Sequence, residues 1–326
     1  MFEIIKPNLN IDFMSKRKLW MGLSLLAVVG TLALLWTKGL NYGIDFTGGA
    51  EVQVQVPKDY DIGKVRNALS DGGLKNFKVQ QIGLPADSTF IVKAQGDEST
   101  LNQTSAQIDG ILKKEITTGP HQIQRVDVVG PAAGSSLRMS GVLSMVYAMI
   151  CILIYVAIRF DVRYAPGAVI ALIHDAMIVT GIFILTQKQF DLQILAAILA
   201  LIGYSNNDTI IVFDRIRETR HAHPEMSIVQ AVNRSINETL GRTILTAFCT
   251  FLTVFALWAF GGKALADFAF TLMVGIIVGT YSSIFIASSV VVYLVNYHDA
   301  RNAKQKSGAA KTRKAYTVRP DPKFSS

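Results

Sequence analysis

Asp208 stands where an acid is costly. It lies in LQILAAILALIGYSNNDTIIVFDRIR (192–217), directly after Ser205, Asn206 and Asn207. That stretch opens with about 22 apolar residues, enough for a helix to cross a bilayer. An ionisable side chain in hydrocarbon costs about 2.5–3.5 kcal/mol on insertion scales, so it has a function or a partner. The next apolar stretch offers a partner in Arg242. Thr239, Thr243, Thr246, Thr250 and Thr253 recur there at intervals of three and four, on one helical stripe with the arginine. At 1.5 Å per residue, Asp208 falls about 7–8 Å and Arg242 about 12 Å from the middles of their spans, toward the same side. A carboxylate and a guanidinium at similar depth on consecutive helices can pair. The pair reads either as a static ion pair or as a proton site. In the second case protonation releases the attraction, the helices shift, and each proton crossing at ~100 mV supplies about 2.3 kcal/mol. A threonine stripe alone means only close packing, with hydroxyls returned to i−4 carbonyls.

His174 and Asp175 sit near the middle of another apolar stretch. Adjacent helical positions diverge by about 100°, so the two do not face one partner. They form either a relay that feeds Asp208 or a structural hydrogen bond to a neighbouring span. The chain has no nucleophile with a base, no metal-ligand cluster and no phosphate-binding loop, which argues against covalent enzyme chemistry. No cofactor is expected beyond the proton as coupling ion. Cys151 and Cys249 fall in apolar runs and read as small buried hydrophobes.

The elements that position these residues are membrane spans. The 326 residues are 50% hydrophobic and 17% charged, too apolar for a soluble globular chain. Residues 1–18 precede a first span at 19–37, whose apolar run Leu19–Trp36 is too long for a signal-peptide core and reads as uncleaved. Five more spans, at about 141–158, 166–186, 192–213, 240–260 and 268–295, fill residues 139–296, and a basic tail occupies 297–326. Lys16, Arg17 and Lys18, then Arg159 and Arg163, then Arg215, Arg217, Arg220 and Arg234, and the tail all fall on one side, against Lys188 and Lys263 on the other. This bias puts both termini in the cytoplasm and makes the net charge of +8 largely a topology signal. The alternative reading of the tail is contact with anionic lipid or ribosomal RNA, and no specific nucleic-acid partner is expected. Before the fifth span, Ser227 caps an amphipathic segment with Gln230 as box partner and Ile228, Val232 and Ile236 on one side. It reads as a surface helix, packed there or docking a partner.

Residues 38–138 form a polar extracytoplasmic domain. EVQVQV (51–56) alternates as a strand. A helix over 59–71 stopped by Gly72-Gly73, strands over 76–82 and 88–94 about a turn at Pro85, a helix near 99–116 and a strand over 121–129 complete β-α-β-β-α-β, a ferredoxin-like α+β arrangement. The expected fold is thus an α-helical polytopic membrane protein with six transmembrane helices and one small α+β domain. Glycine-bearing motifs mark both of its junctions with the membrane: Gly43, Asp45, Phe46, Gly48 and Gly49 on entry, Gly130, Pro131 and Gly134 on exit. They suit either hinges or ordinary tight turns.

GIDFTGG (43–49), VGPAAG (129–134), the His174–Asp175 pair and SNNDTIIVFDRIRE (205–218) together resemble the SecF branch of the SecD/SecF family of bacterial protein-export membrane proteins. The likeness runs over nearly the whole chain, and GIDFTGG matches SecF rather than SecD. The resemblance implies a six-span half of a proton-driven machine of the RND superfamily in the bacterial inner membrane. It implies pairing with SecD, work on unfolded preprotein at the outer domain beside the SecYEG channel and SecA, further contacts with YajC and YidC, and membrane lipid around the spans. It also implies that Asp208 and Arg242 are the residues linked to proton use. Asn206 departs from the pattern, since many members carry isoleucine there. An RND-like proton-coupled exporter of small molecules or lipids and a non-motor scaffold of the translocon are the competing functions.

Overall fold

The structure is a computed structural model that describes residues 10–75, 77–82, 88–94, 98–116, 121–160 and 163–301. The turn predicted at Pro85 and most of the basic tail lie outside these residues. Among the described residues, six helices are long and apolar enough to cross a membrane. They are α1 (Arg17–Thr37), α5 (Pro131–Arg159), α6 (Ala165–Thr186), α7 (Leu192–Ala222), α8 (Ile228–Phe260) and α9 (Lys263–Ser282). The last continues through a π-helical turn, Ser283–Ala287, to Arg301.

Burial sorts them. The most apolar windows of α6, α7 and α9 are 50–56% buried, against 11–17% for α1, α5 and α8, so three helices form a centre and three a periphery. Small residues let the centre close. A Cβ on Gly181 of α6 would stand 2.3 Å from the Thr31 hydroxyl of α1, and one on Gly275 of α9 2.6 Å from Leu201 of α7. Cys151 and Cys249 are exposed rather than buried, because an apolar run alone does not reveal which face meets the bundle.

Two helices differ in extent from the apolar runs. α5 starts at Pro131, well before the apolar run at 141, because proline fits the first helical position, where its missing N–H is no loss. The amphipathic segment after Ser227 is the first part of α8 rather than a separate helix, since no proline falls between it and the fifth span and Gly241 alone does not stop the helix. Its capping box forms as the sequence predicts. Its surface holds the chain's own start: Asn233 and Asn237 bond the backbone of Ile11, Phe13 and Met14, and Met14 is fully buried in the cluster with Val232 and Ile236.

The polar domain between α1 and α5 carries β1 (Gly49–Gln55), α3 (Ile62–Asp71), β2 (Phe77–Ile82), β3 (Thr89–Ala94), α4 (Glu98–Glu115) and β4 (Gln122–Val129). The sheet is antiparallel throughout in the order β2-β3-β1-β4, the order of a split βαβ unit. Asp61 caps α3 by accepting from the Lys64 N–H. Val52, Val54, Phe90 and Val92 on the strands meet Val65, Leu69, Ile108 and Leu112 on the helices to form the core.

The entry motif folds as one short turn, α2 (Ile44–Thr47), and two of its neighbours must be glycine. Gly48 has φ +72°, and a Cβ there would lie 2.6 Å from Pro131 Cα; one on Gly134 would lie 2.7 Å from Gly48 N. The two junction motifs therefore pack backbone against backbone. Gly73, with φ +86° and open space around it, shares the strained backbone without the contact. Gly48→Ala should lower the thermal unfolding midpoint markedly more than Gly73→Ala, which isolates the close approach from the strain of positive φ.

Candidate functional site

α7 is polar on two faces. On the face toward α8, Asp208 is 1% exposed, and its Oδ2 is buried with no hydrogen-bond partner. Asn206 Oδ1, about 160° round the same helix, and Thr243 Oγ1 on α8 are buried and unpartnered as well, while the Tyr204 hydroxyl, one turn before Asp208, reaches Thr250 of α8. Asn207 faces outward. A buried polar atom without a partner costs about 1–3 kcal/mol, so the bare Oδ2 of Asp208 marks a place built to do more than pack.

Arg242 and Asp208 are brought near one another, close enough for the arginine's charge to act on the carboxylate. They are not in contact: no ion pair within 4.0 Å joins them, and Arg242 is exposed. The reason is helical phase. The buried line of α8 is Thr239, Thr243, Ala247 and Val254. Arg242 lies on its flank with Thr246, so the predicted single stripe splits in two. Thr246 bonds the carbonyls of Arg242 and Thr243, Thr250 that of Thr246, and Thr253 that of Cys249. Those threonines satisfy themselves along the helix, and Thr243 is the member whose hydroxyl is left beside the acid's face.

An adjoining face of α7 meets α6 and α9. Asp175 is fully buried, and its Oδ2 accepts from Ser205 Oγ of α7 at 2.6 Å and Ser282 Oγ of α9 at 2.9 Å. Its Oδ1 lies 3.0 Å from His174 Nδ1. The adjacent pair thus contact each other while facing different ways, since the imidazole packs on Tyr281 with ring centroids 6.0 Å apart. Further along, Thr209 Oγ1 bonds Ser283 Oγ at 2.8 Å in the π-helical turn. Tyr204, Ser282 and Ser283 are site residues that the sequence reading passed over. The Ser282-Ser283 and Ser288-Ser289 doublets in an otherwise apolar span were the available signal.

The end of α7 nearest the sheet is fastened to the entry motif. Asp191 caps it by accepting from the Ile194 N–H at 2.9 Å, and Asp45 adds a second acceptor for the Leu192 N–H at 3.0 Å. Gly43 N–H donates to the Phe190 carbonyl and Phe190 N–H to the Asn41 carbonyl, and Phe46 packs against Phe190 and Ile194 in one cluster. Burial pushes the Asp191 carboxyl above the usual carboxylate range, with the charge of Asp45 adding to it and the Ile194 bond opposing it. From the sheet, Glu51 accepts from Gln189 at 3.0 Å and lies 4.0 Å from Lys93, whose ammonium burial holds below the usual lysine range.

These contacts separate strain from support. Thr243→Val deletes a hydroxyl that has no partner and should leave thermal stability unchanged or higher. Ser205→Ala deletes a donor to a buried carboxylate and should cost about 1–3 kcal/mol, read by thermal unfolding in detergent.

Residues 111–297 match the family model described as protein export membrane protein SecD/SecF, C-terminal, and residues 33–56 match the SecD/SecF GG motif. The chain is 45% identical over 295 residues to a protein translocase subunit SecF of Calditerrivibrio nitroreducens, covering 90% of this chain and 96% of that one. It is 39% identical to a protein translocase subunit SecDF of Brucella abortus, of which it covers 38%. The crystal structure of SecDF, a translocon-associated membrane protein from Thermus thermophilus, superposes with a TM-score of 0.81 at 33% identity, over 90% of this chain and 40% of that one.

Proposed function

The chain belongs to the SecD/SecF family of protein export membrane proteins, and from that premise we propose that it is the SecF-type subunit of a bacterial protein translocase, driven by protons through Asp208. The observation that carries the reading is the buried, unpartnered carboxylate of Asp208 on a helix whose other end is bonded to the base of the sheet domain. Protonation removes the charge that the membrane interior disfavours and its attraction to Arg242, so the two states of the acid favour different placements of α7 against α8. Asp45, Phe46 and the Gly48–Pro131 contact then pass a displacement of α7 to the outer domain, where unfolded preprotein is bound or released. Each proton contributes about 2.3 kcal/mol per 100 mV.

In this reading the protein is a multi-pass component of the inner membrane with both termini in the cytoplasm. Arg159, Arg163, Arg217 and Arg220 gather at the end of the bundle remote from the sheet, where Arg163 and Arg220 lie about Asp299, as the positive-inside rule requires of a cytoplasmic face. SecD supplies the other half, a pairing supported by the SecDF relatives in which the matching region is part of a longer chain. The SecYEG channel with SecA, and YajC and YidC, are the further partners. Arg242, exposed on α8 among Leu245, Phe248 and Leu252, suits a face covered by that other half.

Asp208→Asn and Arg242→Met should each leave assembly with SecD intact and abolish proton-dependent export of a preprotein into inverted vesicles with an imposed gradient. Undiminished export would contradict the motor and favour a scaffold. Loss of small-compound efflux with export intact would favour an exporter.

A further inference from the structure

We propose that Asp175 is a second proton-binding carboxylate of the membrane region, separate from Asp208 and built from three helices. The argument begins with its charges. Asp175 is fully buried, and the helices packed on it bring no cation: α1 has no charged residue between 19 and 37, α7 none between 192 and 207, and the sixth span none between 268 and 297. The titratable groups that face it are His174 on its own helix and, beyond the imidazole, Tyr281 of α9. Asp208, three residues beyond Ser205 on α7, is the nearest further acid on that helix. The carboxylate's partners there are two hydroxyls and one imidazole alone.

The hydrogen-bond geometry accommodates both forms of the acid. When ionised, Asp175 accepts from Ser205 and Ser282 on Oδ2 and from a His174 Nδ1–H on Oδ1. Ser282 has one hydroxyl proton and two acceptors, since the Gly279 carbonyl lies 3.1 Å away. Once a proton sits on Oδ2, that hydroxyl turns to Gly279 and its oxygen accepts from the acid. No donor is orphaned in either state, so uptake and release need only the rotation of one hydroxyl. Gly279 is part of the same device, because a Cβ there would stand 2.9 Å from Ser205 Oγ and displace that donor. Proton transfer is balanced: a proton is taken from water onto Oδ2 and returned by the same route, while His174 keeps its Nδ1–H on Oδ1, with no other bond made or broken.

The proposal extends the proton-coupled reading, but its test does not run through export. In pH-difference infrared spectra of the full chain in lipid vesicles, Asp208→Asn should retain a carbonyl-stretch band of a protonated carboxyl group in an apolar site that disappears as pH rises. Adding Asp175→Asn should remove that band. Ser282→Ala on the Asp208→Asn background keeps the acid in place and should move the pH at which the band appears. A band absent from Asp208→Asn, or persisting after Asp175→Asn, or unmoved by Ser282→Ala, overturns the assignment. Loss of export in Asp208→Asn bears on the function above, whereas the band bears on Asp175.

Discussion

The structure depends on how α7 carries polar groups through a region that offers them no water. Each face of this helix solves the problem differently. Toward α6 and α9, Ser205 and Thr209 are paired, to Asp175 and Ser283, in a web closed by small residues. Toward α8, Asp208 leaves a carboxylate oxygen unmatched, and Thr243 of α8 a hydroxyl. A satisfied buried network rigidifies, and an unsatisfied one is high in energy and responds to a proton or a partner. One helix thus has a fixed side and a side held ready to change.

The fixed side gives the changeable side something to act through. α7 is seated in the bundle by Ile194, Ile198, Leu201 and Ile202, all but fully buried, and its sheet-proximal end is bonded to the entry motif by Asp45 and to the loop before it by Asp191. The two junction motifs touch at Gly48 and Pro131 with no room for a side chain. Tight contacts of this kind move as units rather than deform, since packed protein is close to incompressible. Lys188 and Asp267, bonded at 2.5 Å, tie the same loop to the start of α9.

Much of this was legible in the residues. Six apolar runs and one β-α-β-β-α-β domain follow from hydrophobic period and turn chemistry, and Asp208 announces itself because hydrocarbon penalises charge. The capping box at Ser227 and Gln230 is local, so it was readable too. What failed was rotation about helix axes. Nothing in the sequence fixes which face of α8 turns inward, so Arg242 was aligned with the whole threonine stripe, although only Thr239 and Thr243 face the bundle. The same blindness put Cys151 and Cys249 inside. The exit helix was read too short because the turns after Pro131 are polar, and length was judged from apolarity. Ser282 has little signal in the sequence, because a hydroxyl in an apolar span gets its meaning from a carboxylate more than a hundred residues earlier.

The central claim is that the charge on Asp208 sets the position of the sheet domain. Electron–electron distance measurements test it directly, with spin labels at the exposed positions Asn67 in α3 and Phe260 at the end of α8, in a chain from which Cys151 and Cys249 have been replaced. The account predicts two distance populations in lipid whose ratio shifts as pH falls, and a single, pH-independent distribution in Asp208→Asn. A distribution that ignores pH in the unaltered chain, or a pH-driven shift that survives Asp208→Asn, would contradict it.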